Sequence, residues 1–191
     1  AFQAVLFHYS GKPKILVETP MLNRNRQEIE EMLGAFENNV ILGTEVNEMF
    51  RFTDMLNRVK LVIQGAFANQ GVPLHMLLKD LKLESFRGRS LCRFMFIFQN
   101  APPEKMECNG LTIEPIQVKK TKTPAFTLRL EDRAAGLIGS VDYDPEEYDQ
   151  SLVETFVQHF RVLLEKAVQQ PGSSLSELLN PLEAPSLWKK D

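Results

Sequence analysis

The chain has 191 residues, of which 43% are hydrophobic, and a formal charge of -3 at pH 7. This is the composition of a globular domain with a sizeable core. The weak acidity argues against a nucleic-acid partner, which usually meets a basic face, and no run of about 18 apolar residues is present to cross a membrane. Two cysteines, Cys92 and Cys108, are too few for a disulfide framework and fit a reducing cytoplasm.

The first part of the chain predicts short helices alternating with strands. The stretch AFQAVLFHYSG is amphipathic from its first residue and has no capping residue before it. Because helices normally begin with a cap, we expect the chain to start inside a helix and to be a piece of something longer. The predicted elements that follow are a buried strand that ends at Pro20 (14–20), a short helix stopped by Gly34 (27–33) and a second strand (39–46).

The middle of the chain predicts two helices and a central strand. Thr53 is expected to cap a strong helix, whose apolar face is formed by Met55, Val59, Val62, Ile63 and Ala66. Gly71 and Pro73 break the chain before a second short helix at 74–81. The Phe-rich stretch LCRFMFIFQN (91–100) predicts a central strand that is buried on both faces.

The last third predicts a hairpin and a long helix. Residues 111–118 form a weaker strand, and Pro115 suggests that it lies at an edge. Residues 126–132 alternate between apolar and polar, and 137–143 return as the hairpin partner. Asp149 is expected to cap the last long helix, whose apolar stripe is Leu152, Phe156, Phe160, Leu163 and Ala167. The order of elements predicts an α/β fold, a two-layer sandwich in which helices cover one side of a mixed sheet.

The residues that could carry chemistry do not make a complete catalytic set. His8, His75 and His159 have no metal-binding spacing, and we expect them to pack or to face solvent. The sequence has no nucleophile elbow, phosphate loop or dinucleotide motif. The acidic residues between 142 and 147 precede a helix, where the helix dipole favours them. From the residues alone, the chain is an α/β domain without a visible active site.

Three segments in order carry a family resemblance. The first runs from YSGKPKILVETP to FENNVIL, the second is NQGVPLHMLL, and the third is FRGRSLCRFMFIFQN. They resemble the C-terminal half of the condensation domains of nonribosomal peptide synthetases, over roughly residues 1 to 180. The matching positions are Pro20, Asn23, Arg24, Gly34, Phe36, Asn38, Gln70, Val72, Pro73, Met95, Phe96, Gln99 and Asn100.

The resemblance implies one lobe of a chloramphenicol-acetyltransferase-like fold, with a tunnel between two lobes. Carrier proteins would bring a donor thioester on phosphopantetheine to one mouth and an amine acceptor to the other, and no bound cofactor or metal is implied. The family's His-His-x-x-x-Asp-Gly motif belongs to the N-terminal lobe and is absent here. Residues 1–180 would then be the C-terminal lobe, and 181–191 a linker or exit segment toward a following domain, such as an adenylation domain.

The resemblance also implies roles for five residues. Arg24 matches the arginine that reaches the aspartate of the histidine motif across the cleft, where it would support catalysis by a salt bridge; the alternative is a surface arginine on a turn. Asn23, Asn38, Gln70 and Pro73 are candidates for the lining or floor of the tunnel. For Asn38 the alternative is a strand-end amide that caps backbone groups, and for Pro73 a residue that starts a helix.

The chain departs from the family pattern at three places, namely Glu37 to Asn39, Gly71 to His75, and Pro124 to Phe126. Because these changes remove polar or acidic groups, they leave two functions open. The first is the C-terminal half of a condensation domain that transfers an acyl or peptidyl group from a carrier-bound thioester to an amine. The second is a non-catalytic lobe that acts as a docking or scaffold module. An unrelated small acyltransferase would need a catalytic histidine, and none of the three is well placed.

Overall fold

The computed structural model describes residues 1–82, 92–99, 106–114, 125–134 and 136–183. The helices are α1 (Phe2–Ser10), α2 (Gln27–Glu30), α3 (Phe52–Ala68), α4 (Leu74–Asp80), α5 (Gln150–Gln169) and α6 (Leu175–Leu179). The strands are β1 (Lys14–Met21), β2 (Asn38–Glu45), β3 (Phe94–Gln99), β4 (Met106–Cys108), β5 (Leu111–Ile113), β6 (Phe126–Arg133) and β7 (Gly136–Tyr143). No helix in these ranges is both long and apolar enough to cross a membrane.

The main sheet is mixed and has the strand order β2-β1-β3-β6-β7. The three inner strands run parallel, while β2 and β7 close the two edges as antiparallel partners. A connection between parallel neighbours needs a crossover, and α2, α3 and α4 lie in the one from β1 to β3, whereas β4 and β5 lie in the one from β3 to β6. The predicted central position of the Phe-rich stretch is therefore confirmed, because β3 lies in the middle of the sheet.

One hydrophobic core joins the sheet to a layer of helices on one side. It includes apolar residues of α1, α3, α5 and α6 together with inward residues of β1, β3 and β6. An aromatic cluster forms its centre, where the Phe126 ring lies 4.9 Å from that of Phe156 and Phe2 stacks on Phe96 at 5.8 Å. The expected two-layer α/β sandwich is confirmed.

The sequence patterns place most helices correctly. Gly11 ends α1 in the left-handed region at a φ of 63°, as a C-terminal glycine favours. Asp149 is the N-cap residue of α5, and Val153, Phe156, Phe160, Leu163 and Ala167 are its buried residues. Leu152 of the predicted stripe is partly buried against the same core. The tail after Ser173 forms α6, which a Ser174–Glu177 capping box begins.

Three expectations about helices need correction. The cap of α3 is Arg51, and Thr53 lies inside the first turn. The predicted apolar face of α3 is only partly covered, since Met55 is its buried residue while Ile63 remains 42% exposed. The reason is that α3 packs on the edge strand β2 rather than over the centre of the sheet. Helix α2 ends at Glu30 rather than at the residue before Gly34.

The expected strands need two corrections. Strand β3 is buried at Phe94 and Met95, but Phe98 is 50% exposed, so the strand is not buried along both faces. The weak strand after residue 110 is only three residues long and pairs with β4 in a separate two-stranded sheet. Pro115, Pro124 and Asn100 lie outside the described residues.

Candidate functional site

The carboxyl end of β1 is where the parallel sheet stops being continuous. The ladder between β3 and β6 covers six residue pairs, 94–99 against 126–131. In contrast, the ladder between β1 and β3 has a single pair, Glu18 with Met95. The hydrogen-bonded pairing of β1 with β3 therefore stops at this pair, and the chain leaves β1 three residues later, after Met21.

Proline chemistry explains why the pairing ends there. In a parallel ladder, a bonded residue makes its two bonds to the residues before and after its partner. With Glu18 opposite Met95, the next rung would join the N–H of residue 20 to the carbonyl of Phe96. Pro20 has no N–H, and the Thr19 hydroxyl donates to that carbonyl instead, at 2.8 Å.

The loop that follows β1 is held by Arg24. Asn23 lies in the left-handed region at a φ of 52°, a conformation that asparagine tolerates better than most residues. The Arg24 guanidinium donates to the backbone carbonyls of Ile29 and Glu30 through Nη1 and of Gly34 through Nη2, and lies 4.6 Å from the Phe36 ring centre. The carbonyls of Ile29 and Glu30 accept from Arg24 at the positions where a further helical turn would supply N–H donors, which gives a local reason for the short length of α2.

The guanidinium of Arg24 keeps capacity for a further partner. An arginine has five N–H groups, and the bonds within the described residues use two on Nη1 and one on Nη2. Within the described residues the Nε–H is not among these donors, and Nε and Nη2 together form the edge that a carboxylate meets side-on in a bidentate pair. Arg24 is half-buried, so this edge is held in a fixed orientation.

Asn38 joins two of the matching segments. It begins β2 opposite Met21, the last residue of β1. Its Nδ2 donates to the carbonyls of Gln70 and Val72, both at 2.7 Å, and its Oδ1 accepts from the Leu74 N–H at 3.4 Å. The side chain thus caps backbone groups of the α3–α4 connection, which is the alternative that the sequence left open for this asparagine.

Gln70 and Pro73 lie in that same connection. The Gln70 side chain is 4% exposed, and Pro73 is the N-cap residue of α4 at a φ of -63°. The structure brings Asn38, Gln70 and Pro73 together, and the pairing of Met21 with Asn38 places Asn23 and Arg24 beside the same sheet end.

Asn39 points to the opposite face of the sheet. It donates to the Glu18 carboxylate at 2.7 Å, and Glu18 is 5% exposed. Cys92 is buried nearby, where burial and then the Glu18 charge raise the pKa of its thiol to about 12. A thiol whose pKa is raised by burial is a poor nucleophile at neutral pH.

The histidines have structural partners or face solvent. His159 Nδ1 lies 2.7 Å from the Tyr9 hydroxyl, and His8 Nε2 lies 2.8 Å from the carbonyl of Leu182. Burial, and then the nearby His8, lower the pKa of His159, while burial raises that of Tyr9 to about 12. The Tyr9 phenol and the His159 imidazole are therefore both neutral at pH 7, and the Tyr9 hydroxyl donates to His159 Nδ1. His75 is exposed on α4.

Two of the acidic residues before α5 also have local partners. Asp144 accepts from the Glu146 N–H at 2.9 Å, and Glu147 lies 3.7 Å from Arg93. In the part of the chain that the structure describes, no three His, Cys, Asp or Glu side chains gather as metal ligands. Neither the Thr19 contact nor the Glu18–Asn39 pair is predicted from the sequence. For Thr19 the available signal is the proline that follows it, because that proline leaves a strand carbonyl without its N–H donor.

Comparisons with known proteins agree with this architecture. The Condensation domain family model matches residues 1–187. A linear gramicidin synthase component of Brevibacillus parabrevis is 34% identical over 181 residues, which are 93% of this chain and 2% of that protein. Surfactin synthase subunit 1 of Bacillus subtilis (strain 168) is 31% identical over 191 residues, 97% of this chain and 5% of that protein.

Solved structures share the fold at lower sequence identity. The X-domain from teicoplanin biosynthesis has a TM-score of 0.80 at 18% identity, over 92% of this chain and 41% of that one. The starter condensation domain of the rhizomide synthetase RzmA has a TM-score of 0.77 at 11% identity, over 91% of this chain and 42% of that one. The predicted likeness to one lobe of a chloramphenicol-acetyltransferase-like fold is confirmed, and the chain belongs to the condensation domain family.

Proposed function

We propose that this chain is the C-terminal lobe of a condensation domain in a nonribosomal peptide synthetase or hybrid megasynthase. The complete domain would transfer an acyl or peptidyl group from a carrier-bound thioester to an amine. The family match carries the proposal. The share of solved relatives that the chain covers, 41%, leaves room for an N-terminal lobe of similar size, which would supply the histidine motif.

Arg24 is the residue of this lobe that would support catalysis. Its guanidinium is stacked on Phe36 and bonded to three backbone carbonyls, so its rotamer is fixed before a partner arrives. The Nε–Nη2 edge would receive the aspartate of the histidine motif as a side-on pair. A planar, bidentate contact would orient the loop that carries the histidines, which lysine could not do equally well.

The other matched residues would shape the tunnel. Asn38 and Pro73 would support its floor by fixing the α3–α4 connection, since Asn38 bonds to the carbonyls of Gln70 and Val72. Gln70 would contribute through its backbone, because its side chain is buried. Asn23 would line the mouth beside Arg24.

The partners follow from the same proposal. Carrier domains would deliver both substrates on phosphopantetheine, and the thioester is reactive enough for much of the rate gain to come from positioning. Residues 1–180 would be the lobe, and 181–191 would lead to a neighbouring domain such as an adenylation domain. We place the complete protein in the cytoplasm, where such carriers are loaded.

The test begins with the reading frame about 200 residues upstream of Ala1, the span that a second lobe needs. We expect a His-His-x-x-x-Asp-Gly motif there. The complete domain, given a carrier-bound thioester and an amine acceptor, should form an amide. Arg24→Ala should lower turnover about tenfold or more through lost orientation, whereas Arg26→Ala should not, because Arg26 is exposed. Equal turnover in the two variants would remove the role of Arg24.

A second candidate is a non-catalytic lobe that serves as a docking or scaffold module. The loss of family carboxylates at Gly71 and His75 favours it. A frame that starts close to Ala1, or a broken histidine motif, would select this candidate over the first.

A further inference from the structure

We infer that Pro20 is a positioning residue, which acts by ending the pairing of β1 with β3. The inference rests on the proposed function, because its consequence is the placement of Asn23 and Arg24. The observation is the single Glu18–Met95 pair in a ladder that both strands are long enough to extend.

The lengths of the strands make the early stop informative. Three residues of β1 follow Glu18, and four residues of β3 follow Met95. Over the same residues β1 stays paired with β2, through Thr19, Pro20 and Met21. The strand is therefore regular up to Met21, and its hydrogen-bonded pairing is lost on the β3 side alone. Loss of regular conformation does not explain this lost pairing, whereas the missing N–H of Pro20 does.

Thr19 makes the opening stable. The carbonyl of Phe96 faces β1, and without a donor it would be left unsatisfied at considerable cost. The Thr19 hydroxyl supplies that donor at 2.8 Å. Its side chain takes the place of the missing rung without drawing the backbone of residue 20 toward β3.

The lost pairing leaves residues 19–21 paired with β2 alone where the chain leaves the sheet. Asn23 turns the backbone through the left-handed region three residues after Pro20, and Arg24 then fastens to the carbonyls of Ile29 and Gly34. A chain held to β3 through residue 20 would enter this turn from a different position. The guanidinium edge that is proposed to receive a carboxylate would move with it.

The test is Pro20→Ala in a complete condensation domain that contains this chain, with Pro171→Ala as the matched control. Pro171 is exposed beyond α5, where a new N–H has no strand to join. In Pro20→Ala we expect the new amide of residue 20 to bond to Phe96, and its hydrogen exchange to slow roughly a hundredfold against an open amide. We expect kcat to fall about tenfold with KM nearly unchanged and without a lower thermal midpoint.

Each result decides a separate point. An unprotected amide at residue 20 would overturn the ladder argument. A protected amide with unchanged kcat would overturn the positioning role and leave the proposed function standing. A fall in kcat that comes only with a lower thermal midpoint would reduce Pro20 to a structural residue. Failure of the unmodified domain to form an amide would instead refute the proposed function, and this inference with it.

Discussion

The contacts of Asn38 allow a sharp prediction about the α3–α4 connection. Asn38→Ala removes two donated bonds of 2.7 Å and one longer accepted bond from Leu74. At a net 0.5–1.5 kcal/mol for each bond, and with the Val72 bond exposed to water, the expected loss of unfolding free energy is about 2 kcal/mol. For a domain of this size, that corresponds to a fall in Tm of about 4–8 °C.

Asn38→Asp removes the two N–H donors of the side chain but keeps its shape. The aspartate keeps the acceptor for the Leu74 N–H but sets a carboxylate against the carbonyls of Gln70 and Val72. The carboxylate is partly desolvated and meets no donor at these carbonyls. We therefore expect Asn38→Asp to lower the unfolding free energy by more than Asn38→Ala does at pH 7. Acidification toward the ordinary carboxyl pKa of about 4 should recover part of it, because the protonated form donates once.

The assay is denaturant unfolding followed by circular dichroism, together with hydrogen exchange of the peptides that cover residues 69–81. Asn57→Asp is the matched control, since Asn57 is exposed on α3 and should change stability by less than about 0.5 kcal/mol. If Asn38→Asp unfolds at the same denaturant concentration as Asn57→Asp, the reasoning about this connection is wrong.

Two further predictions concern the core and pH. Phe156 is fully buried at the centre of the aromatic cluster, so Phe156→Ala should lower the unfolding free energy by about 3–5 kcal/mol. Phe67→Ala, at a residue 63% exposed, should cost far less, and similar losses in calorimetry would contradict the packing. The lowered pKa of His159 means that the unfolded state binds its proton more readily, so stability is full above about pH 6.5 and falls below it. Tm measured between about pH 7.5 and about pH 5.5 should fall less in His159→Gln than in the unmodified chain, whereas an unchanged pH profile would count against this argument.

The fold could be predicted closely because its signals are local. The helical spacing from Phe156 to Ala167 records which face of α5 is buried, and the alternation of residues 126–132 predicts β6, although Thr127 is buried as well as its apolar neighbours. The stripe on α3 shows the limit. Its spacing predicts an amphipathic helix, but Ile63 stays exposed because neighbours, not the pattern, decide how far a helix is covered.

The sequence by itself determined the two-layer class, the order of the elements apart from β4, and the end of β1 to within one residue, since periodicity and prolines act within a few residues. The tertiary structure alone decided what Arg24 and Asn38 hold. Asn38 bonds to a carbonyl 32 residues away, and Arg24 bonds to two carbonyls at the C-terminal end of α2. Their partners are backbone carbonyls, which every residue carries, so no side-chain pattern marks them. Pro20 combines both cases. Its missing N–H can be read from the sequence, whereas only the register of β1 against β3 shows that Phe96 supplies the carbonyl to which Thr19 donates.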